Sequence, residues 1–320
     1  TATPGASIVA TADYDAAAGL MSLNDFSAAA GTLEQFRRAY PDDPRQAEVT
    51  RRLATAYLGS ARPLQASREF ERIGRATGAA SLRSDALWQS AELYASAGQA
   101  AQSTAVYSYY VEQFPQPVEA AVEARQRVAR YYSSIGDVRQ SQQWLHAIIE
   151  ADARAGQGRS DRTRYLAARA RLALADAQSA QYRAVALRLP LNETLASKKR
   201  LLQSTLTQYE QAAAYDVAEV TTAAAYHTAQ LYTHLGTVLL ESERPGNLDA
   251  EALEEYDILL EDLAYPFEEQ AIALHETNAV RVESGLFDAW IEKSLKALSQ
   301  LVPGKFARLE RSTDYVTALR

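Results

Sequence analysis

The residues that could perform metal or acid–base chemistry in this chain are present but poorly spaced. His275 and Glu276 begin a pattern similar to the zinc-protease helix motif, but the second histidine that the motif requires does not follow. His227 and His234 lie seven residues apart and could share one face of a helix. Two such ligands without a neighbouring carboxylate make a weak metal site. We therefore predict neither a metal site nor a cofactor.

Two pairs of adjacent carboxylates, Glu254–Glu255 and Glu268–Glu269, are the remaining candidates for catalysis. Catalytic carboxyl groups need burial or a like-charge neighbour that shifts their pKa. Both pairs occur in segments with the periodicity of exposed helix faces, which indicates solvated surface. The chain also contains no cysteine, no glycine-rich phosphate loop and no Gly-x-Ser-x-Gly turn. These observations predict a protein that is not an enzyme and has no catalytic residues.

The composition restricts the class of protein and of partner. The chain has 320 residues, of which 47% are hydrophobic and 23% charged, and this balance is typical of a globular protein. A net charge of −7 argues against nucleic-acid binding, which needs clustered positive charge. No segment reaches the roughly 18 apolar residues needed to span a bilayer. The first residues, Thr-Ala-Thr-Pro, lack an initiator methionine, which we interpret as a trimmed or mature form.

The elements that position any functional side chain are predicted to be helices, because alanine is abundant and alternating strand patterns are scarce. Four windows of the sequence repeat one pattern at a period of about 37 residues, which indicates stacked helical hairpins. Each window has a large anchor, a turn, and a second large anchor 13 residues after the first. The first anchors are Leu20, Tyr57, Tyr94 and Tyr132; the second anchors are Leu33, Phe70, Tyr107 and Leu145; the turns are Asn24–Asp25, Arg62–Pro63, Gly98–Gln99 and Gly136–Asp137.

Small residues recur near the anchors and let two antiparallel helices approach closely. They are Ala17, Ala54, Ala91 and Ala129 in the first helices, and Ala29, Ala66, Ser103 and Ser141 in the second helices. Over residues 8–155 this arrangement resembles the tetratricopeptide (TPR) repeat, although it lacks that family's tryptophan near the start of the first helix and has slightly longer connections. The resemblance implies an all-α, right-handed superhelical array of antiparallel helix hairpins.

The remainder of the chain is predicted to continue the array in less regular form. Residues 156–247 are assigned to long-helix degenerate repeats and residues 248–310 to degenerate hairpins and a cap. The predicted helices are Arg159–Leu187, Thr194–Ala214, Val217–Glu241, a helix capped by Asp249 that runs to Leu263 before Tyr265–Pro266, and the pair Phe267–Glu283 and Leu286–Leu301. The predicted apolar cap consists of Phe267, Ile272, Phe287, Trp290, Ile291 and Leu295.

The carboxy-terminal segment, about residues 248–310, carries a second resemblance. Its runs Tyr265-Pro-Phe-Glu-Glu-Gln-Ala-Ile, His275-Glu-Thr-Asn278 and Gly285-Leu-Phe-Asp288 are followed by Trp290-Ile and Leu301-Val-Pro303. This segment is similar to the closing part of large periplasmic TPR proteins of proteobacteria that accompany TolQ/ExbB-type proton-channel systems, including TonB-linked and gliding-motility assemblies. The resemblance implies a periplasmic protein that takes part in an envelope complex.

The functional surface of such an array is expected on its inner face, which is lined by first-helix residues one turn from the packing positions. The groove positions of the TPR family correspond here to Tyr14, Ala18, Arg51, Thr55, Trp88, Glu92, Gln126 and Arg130. A tryptophan flanked by arginine and glutamate is typical of a peptide-binding hot spot. The alternative is that Trp88 only packs against a neighbouring helix.

We therefore predict a non-enzymatic scaffold that binds a peptide or protein in its concave groove, without nucleic acid, cofactor or membrane span. Two alternatives stay open from the sequence. The chain could be one span of a longer array used for spacing or self-association, or a cell-wall lytic enzyme with an α-superhelical body, although no segment for a lysozyme-like domain is evident.

Overall fold

A computed structural model of the chain describes residues 4–307, and within that range the regular structure is entirely helical. The predicted all-α array of helix hairpins is confirmed, since each hairpin joins two helices of three to eight turns through a short connection. The helices are α1 Pro4–Ser22, α2 Phe26–Ala39, α3 Gln46–Gly59, α4 Pro63–Arg75, α5 Ala80–Ser96, α6 Ala100–Gln113, α7 Val118–Ser134, α8 Val138–Ala153, α9 Asp161–Ala184, α10 Leu191–Ala213, α11 Ala218–Leu240, α12 Ala250–Val280, α13 Ala289–Leu301 and the single turn α14 Pro303–Phe306.

The chain divides after Thr163 into two compact units. The first unit contains helices α1 to α8, in which each helix packs against the next. The second unit contains most of α9 and helices α10 to α14, with α11 packed between α10 and α12. Residues 308–310 of the predicted cap lie outside the described residues.

The small residues predicted to sit where helices approach closely are all buried in the first unit. Leu33, Leu53 and Leu87 are fully enclosed beside them, and the anchors Tyr57, Tyr94 and Tyr107 are buried as well. This confirms the packing role assigned to the repeated alanines and serines. The small residues in question are Ala17, Ala29, Ala54, Ala66, Ala91, Ser103, Ala129 and Ser141.

The four predicted turns share one backbone conformation. The residue before each second helix or its cap has a positive φ, with 60° at Asn24, 56° at Ala61, 74° at Gly98 and 75° at Gly136. Where an aspartate follows, it caps the next helix, as when the Ala28 backbone N–H donates to Asp25 Oδ1 at 3.1 Å. The left-handed turn reverses the chain within two or three residues, and this sets the antiparallel hairpin.

A buried ion pair joins the first two hairpins. The Arg37 guanidinium on α2 donates to both carboxylate oxygens of Glu69 on α4, at 2.8 and 2.6 Å, and also to Thr50 Oγ1 at 3.2 Å. Glu69 is buried, so the bidentate contact compensates for the desolvation of its charge. The pair therefore fixes the register between neighbouring hairpins in a way that apolar packing alone does not.

The second unit corrects one predicted boundary. The proline pattern at Tyr265–Pro266 predicted a helix end, but α12 continues without a break from Ala250 to Val280 with Pro266 inside it. The buried side chains Leu260, Ala264 and Ala271 follow one another at intervals of four and seven residues, which keeps them on one face of the helix across the proline. Helix α12 packs against α11. Continuous burial on this side outweighs the loss of one helical hydrogen bond on the other.

Of the six residues assigned to the predicted apolar cap, one is buried, four are partly buried and one, Phe287, is exposed; that they close the array stays a prediction. Ile291 is completely buried, and Trp290 packs against Tyr226 and His227, with ring centroids 5.6 and 4.8 Å apart. Phe287, in contrast, is exposed, because it precedes α13 in a segment whose Asp288 caps that helix. Asp288 Oδ1 accepts hydrogen bonds from the Trp290 and Ile291 backbone N–H groups at 2.9 Å, which turns the chain away from the core at Phe287.

Candidate peptide-binding groove

A hollow of about 460 Å³ lies between the first helices of the second and third hairpins, α3 and α5. Its α3 wall contains two predicted site residues, Arg51 and Thr55, one turn apart on the same helix face. We call this space the first hollow. Its other lining residues are Leu58 from α3, Phe70 and Ile73 from α4, and Leu82, Asp85, Ala86 and Gln89 from α5.

Arg51 is exposed and makes only a local ion pair. Its guanidinium contacts Glu48 one turn earlier on α3, with Nε donating to Oε2 at 2.8 Å. Thr55 Oγ1 donates to the Arg51 carbonyl at 3.3 Å. An exposed pair at this spacing contributes only about 0.3–0.5 kcal/mol, so a partner carboxylate can replace Glu48 at little cost.

A second hollow, of about 400 Å³, repeats the arrangement one hairpin further along, between α5 and α7. Trp88 and Tyr110 form its apolar side, and Glu119 and Glu123 on α7 form its acidic side. Asp85 lines both hollows, so the two spaces meet on the exposed face of α5. Within the described residues no ion pair involves the Asp85 carboxylate.

Trp88 packs against the neighbouring helix α6 and also lines the second hollow, whereas its peptide-binding role stays a prediction. Its ring makes edge-on contacts with Tyr107 and Tyr110 on α6, with centroids 5.2 and 5.5 Å apart, and the Arg127 guanidinium lies 5.4 Å from its centroid. The side chain is partly buried in the core of the third hairpin, and its remaining surface lines the second hollow. Burial in this cluster raises the pKa of Tyr107 to about 12.

The other predicted groove residues lie outside these two hollows. Tyr14 packs on Phe36 and is covered by the guanidinium of Arg52, 4.5 Å from its ring centroid. Glu92 accepts a hydrogen bond from Arg127 on α7 at 3.1 Å, which links the third and fourth hairpins. Gln126 is partly buried and its Oε1 accepts no hydrogen bond from the part of the chain that the structure describes, whereas Arg130 is exposed. The structure thus brings Arg51, Thr55 and Trp88 to adjoining hollows and leaves these four apart; Ala18 also lies outside both.

The sequence did not reveal three residues that shape the groove. Leu58 on α3 and Leu82 on α5 both line the first hollow, and both are exposed although large and apolar. Exposed apolar side chains that line a concave space are a common mark of a docking site. Asp85 is the third, and its position three residues before Trp88 in a first helix was the available signal.

The histidines of the second unit do not form a metal site. His234 Nε2 lies 3.3 Å from the buried Lys198 Nζ, which also donates to the carbonyls of Tyr182 and Val185 at 3.1 and 2.6 Å. Burial and this ammonium lower the pKa of His234 to about 4. His227 instead stacks on Tyr209. Among residues 4–307, no three histidine or carboxylate side chains come close enough together to hold a metal ion.

His275 is fully buried on α12, and neither ring nitrogen has a hydrogen-bond partner among residues 4–307. Its nearest aromatic neighbour is Tyr226, with ring centroids 5.6 Å apart. Burial alone lowers the pKa of His275 to about 4, so the ring is neutral at physiological pH. The carboxylate pairs Glu254–Glu255 and Glu268–Glu269 are exposed, as their periodicity predicted.

Comparison with known proteins adds little. No family model matches the sequence, and no curated protein matches it. The TPR domain of P58(IPK) is 12% identical over 93% of this chain and 99% of that chain, with a TM-score of 0.23. A circular tandem repeat protein with a novel repeat topology is 15% identical over 93% of this chain and 78% of that chain, with a TM-score of 0.21. Scores this low have no bearing on function.

Within the described residues, no helix combines the length and apolarity needed to cross a membrane.

Proposed function

We propose that this protein is a non-enzymatic scaffold whose first unit binds a peptide segment of another protein along α3, α5 and α7. The observation that supports this proposal is the pair of adjoining hollows that meet at Asp85. Their volumes, about 460 and 400 Å³, each suit one or two peptide side chains. Stacked hairpins are well suited to this use because they present one face of successive first helices to an extended partner.

The side chains that line the two hollows indicate which peptide residues would bind there. Leu58 and Leu82 favour an apolar side chain in the first hollow. Within the described residues Asp85 has no ion pair, and Glu119 adds negative charge beyond it, whereas Glu123 is paired with Arg162. A lysine or arginine is therefore favoured next in the peptide. Arg51, at the opposite edge, can pair with a carboxylate. The partner is therefore a segment in which an acidic, an apolar and a basic residue follow one another.

A display selection of random peptides on the wild-type protein tests this proposal directly. Enriched peptides should carry the acidic–apolar–basic order, and their synthetic forms should bind in fluorescence anisotropy. Asp85→Lys and Leu82→Glu should each weaken binding about tenfold, which is about 1.4 kcal/mol. Leu23→Glu, at an exposed leucine of the α1–α2 turn, is the matched control and should bind normally.

Two results would contradict the proposal. One is a selection in which no peptide family is enriched. The other is binding that Asp85→Lys and Leu82→Glu leave unchanged while Arg51→Glu also has no effect. Trp88→Ala is not informative here, because Trp88 packs on Tyr107 and Tyr110 and its loss would disturb the third hairpin itself.

We propose also that the partner belongs to an envelope complex and that the protein acts in the periplasm. The support is the resemblance of residues 248–310 to periplasmic TPR proteins that accompany TolQ/ExbB-type systems. Fractionation of the source bacterium, followed by crosslinking and mass spectrometry of the complexes, tests this setting. Recovery of the protein in the cytoplasmic fraction would refute the setting without affecting the peptide-groove proposal.

A further inference from the structure

The second unit contains a trough between α10 and α12, with α11 as its floor. The trough has a volume of about 480 Å³. Asn278 Nδ2 donates to the Thr222 carbonyl at 2.9 Å at one end, and Tyr232 stacks on Phe267 at 6.3 Å at the other. The floor is made of small side chains, Thr221, Ala224, Ala225 and Thr228.

The wall that α12 provides belongs to a longer exposed stripe. Gln270, Leu274, Thr277 and Arg281 line the trough at helical spacing. Counting back by three or four residues continues the same face of α12 through Pro266 to two exposed leucines, Leu263 and Leu259. We call the face from Leu259 to Arg281 the α12 stripe. Its amino-terminal half carries the two exposed leucines, and its carboxy-terminal half lines the trough.

The charges at the two ends of the α12 stripe are opposite. Arg281 lines the trough, its Nε is buried without a hydrogen-bond partner, and no ion pair of its guanidinium occurs within the described residues. At the other end Leu259 is flanked by the exposed Glu255 and Asp262, one turn on either side. Neither carboxylate has a cation partner in the described part of the chain.

We propose that a second copy of this chain covers the α12 stripe, in an antiparallel pair of α12 helices related by a two-fold axis at Gln270. An axis there places Leu259 of one copy opposite Arg281 of the other, and Leu263 opposite Thr277, because each pair lies equally far from Gln270. The two leucines then enter the partner's trough, while Glu255 and Asp262 approach the partner's Arg281.

The size of this contact predicts reversible association. One helix face with two leucine anchors buries less than the roughly 800 Å² per partner of a standard stable interface. We therefore expect a monomer–dimer equilibrium with a Kd on the order of micromolar. This proposal goes beyond the peptide groove and uses none of its residues, so either one can fail alone.

Sedimentation velocity of the full chain from about 1 to about 300 µM provides the test. The weight-average mass should rise from 35.1 kDa towards twice that value. Leu259→Glu should weaken association at least about tenfold. Ile258→Glu is the matched control, because Ile258 is 54% exposed against 52% for Leu259 but points about 100° away around the helix axis. Both variants should melt as the wild type does.

Introduced cysteines locate the axis, since the chain has none of its own. Gln270→Cys should form a disulfide-linked dimer under mild oxidation, and Ile258→Cys should not. A protein that stays monomeric throughout the range overturns the proposal. So does dimerisation that Leu259→Glu leaves intact, an equal loss in Ile258→Glu, or equal crosslinking at residues 258 and 270.

Discussion

Replacement of His275 by leucine should change how the stability of the second unit depends on pH. His275 is fully buried, neither of its ring nitrogens is hydrogen-bonded, and its pKa in the folded protein is about 4 against an ordinary 6.5. Because the folded pKa is lower than the unfolded one, the unfolded chain binds the proton first as the pH falls. Stability is therefore complete above about pH 6.5 and decreases from there towards pH 4.

The size of this loss follows from the pKa values. One pKa unit corresponds to about 1.4 kcal/mol. At about pH 5 the imidazole is almost fully protonated in the unfolded chain and almost fully neutral in the folded protein. His275 therefore lowers the free energy of unfolding by about 2 kcal/mol at that pH. Leucine has a similar volume and does not titrate. His275→Leu should thus be as stable as the wild type near pH 7.5, and lose about 2 kcal/mol less on acidification.

Urea unfolding at both pH values measures this difference. Far-UV circular dichroism follows all helices, and the fluorescence of Trp290, in the His275 cluster, helps to assign the transition to the second unit. His146→Leu, at an exposed histidine of α8, is the control and should leave the acid sensitivity unchanged. If His275→Leu loses as much stability at pH 5 as the wild type does, burial of His275 is not what makes the second unit sensitive to acid.

Three further substitutions test packing and backbone assignments, each by urea unfolding. Gly74→Ala should destabilise the first unit by about 1–3 kcal/mol because the added Cβ would overlap Leu87, whereas Gly19→Ala, where the space is open, should be neutral or stabilising. Pro266→Ala should stabilise the second unit by up to about 3 kcal/mol, since it restores a helical N–H on an exposed side of α12; a loss of stability would contradict this. Lys198→Met should lower the free energy of unfolding by about 2 kcal/mol, because two buried carbonyls lose their donor. An unchanged urea midpoint would show that water replaces the ammonium.

The hairpin array was predictable from the sequence because its signal repeats. Small residues such as Ala54 and Ala91 occur at fixed offsets from large anchors, and four copies of a weak pattern identify what one copy cannot. The boundary at Pro266 was not predictable from local rules, since a proline ordinarily ends a helix. The burial of Leu260, Ala264 and Ala271 on one face of α12, which packs against α11, explains why the helix continues.

Of the first hollow, only the wall that α3 provides could be predicted from the sequence. Transfer of repeat positions found Arg51 and Thr55 on α3, because these follow directly from the phase of the helix. The opposite wall of the first hollow comes from the next hairpin, where Leu82 and Asp85 belong to another phase of α5. Which face of α5 closes the hollow depends on the tilt between hairpins, and that tilt is set by tertiary packing.

The peptide groove and the α12 stripe are proposed to bind different partners. Each variant can therefore be measured in both the peptide-binding and the sedimentation assay. The proposed groove has the carboxylate of Asp85 at its centre and would accept a foreign segment, whereas the α12 stripe is proposed to bind its own copy. The two surfaces share no lining residue. Asp85→Lys should therefore weaken selected-peptide binding about tenfold and leave the sedimentation profile unchanged, whereas Leu259→Glu should weaken association and leave peptide binding unchanged. A variant that alters both readouts would mean that peptide binding and self-association are one linked equilibrium, in which case added peptide must shift the dimer constant by the same factor as dimerisation shifts peptide affinity.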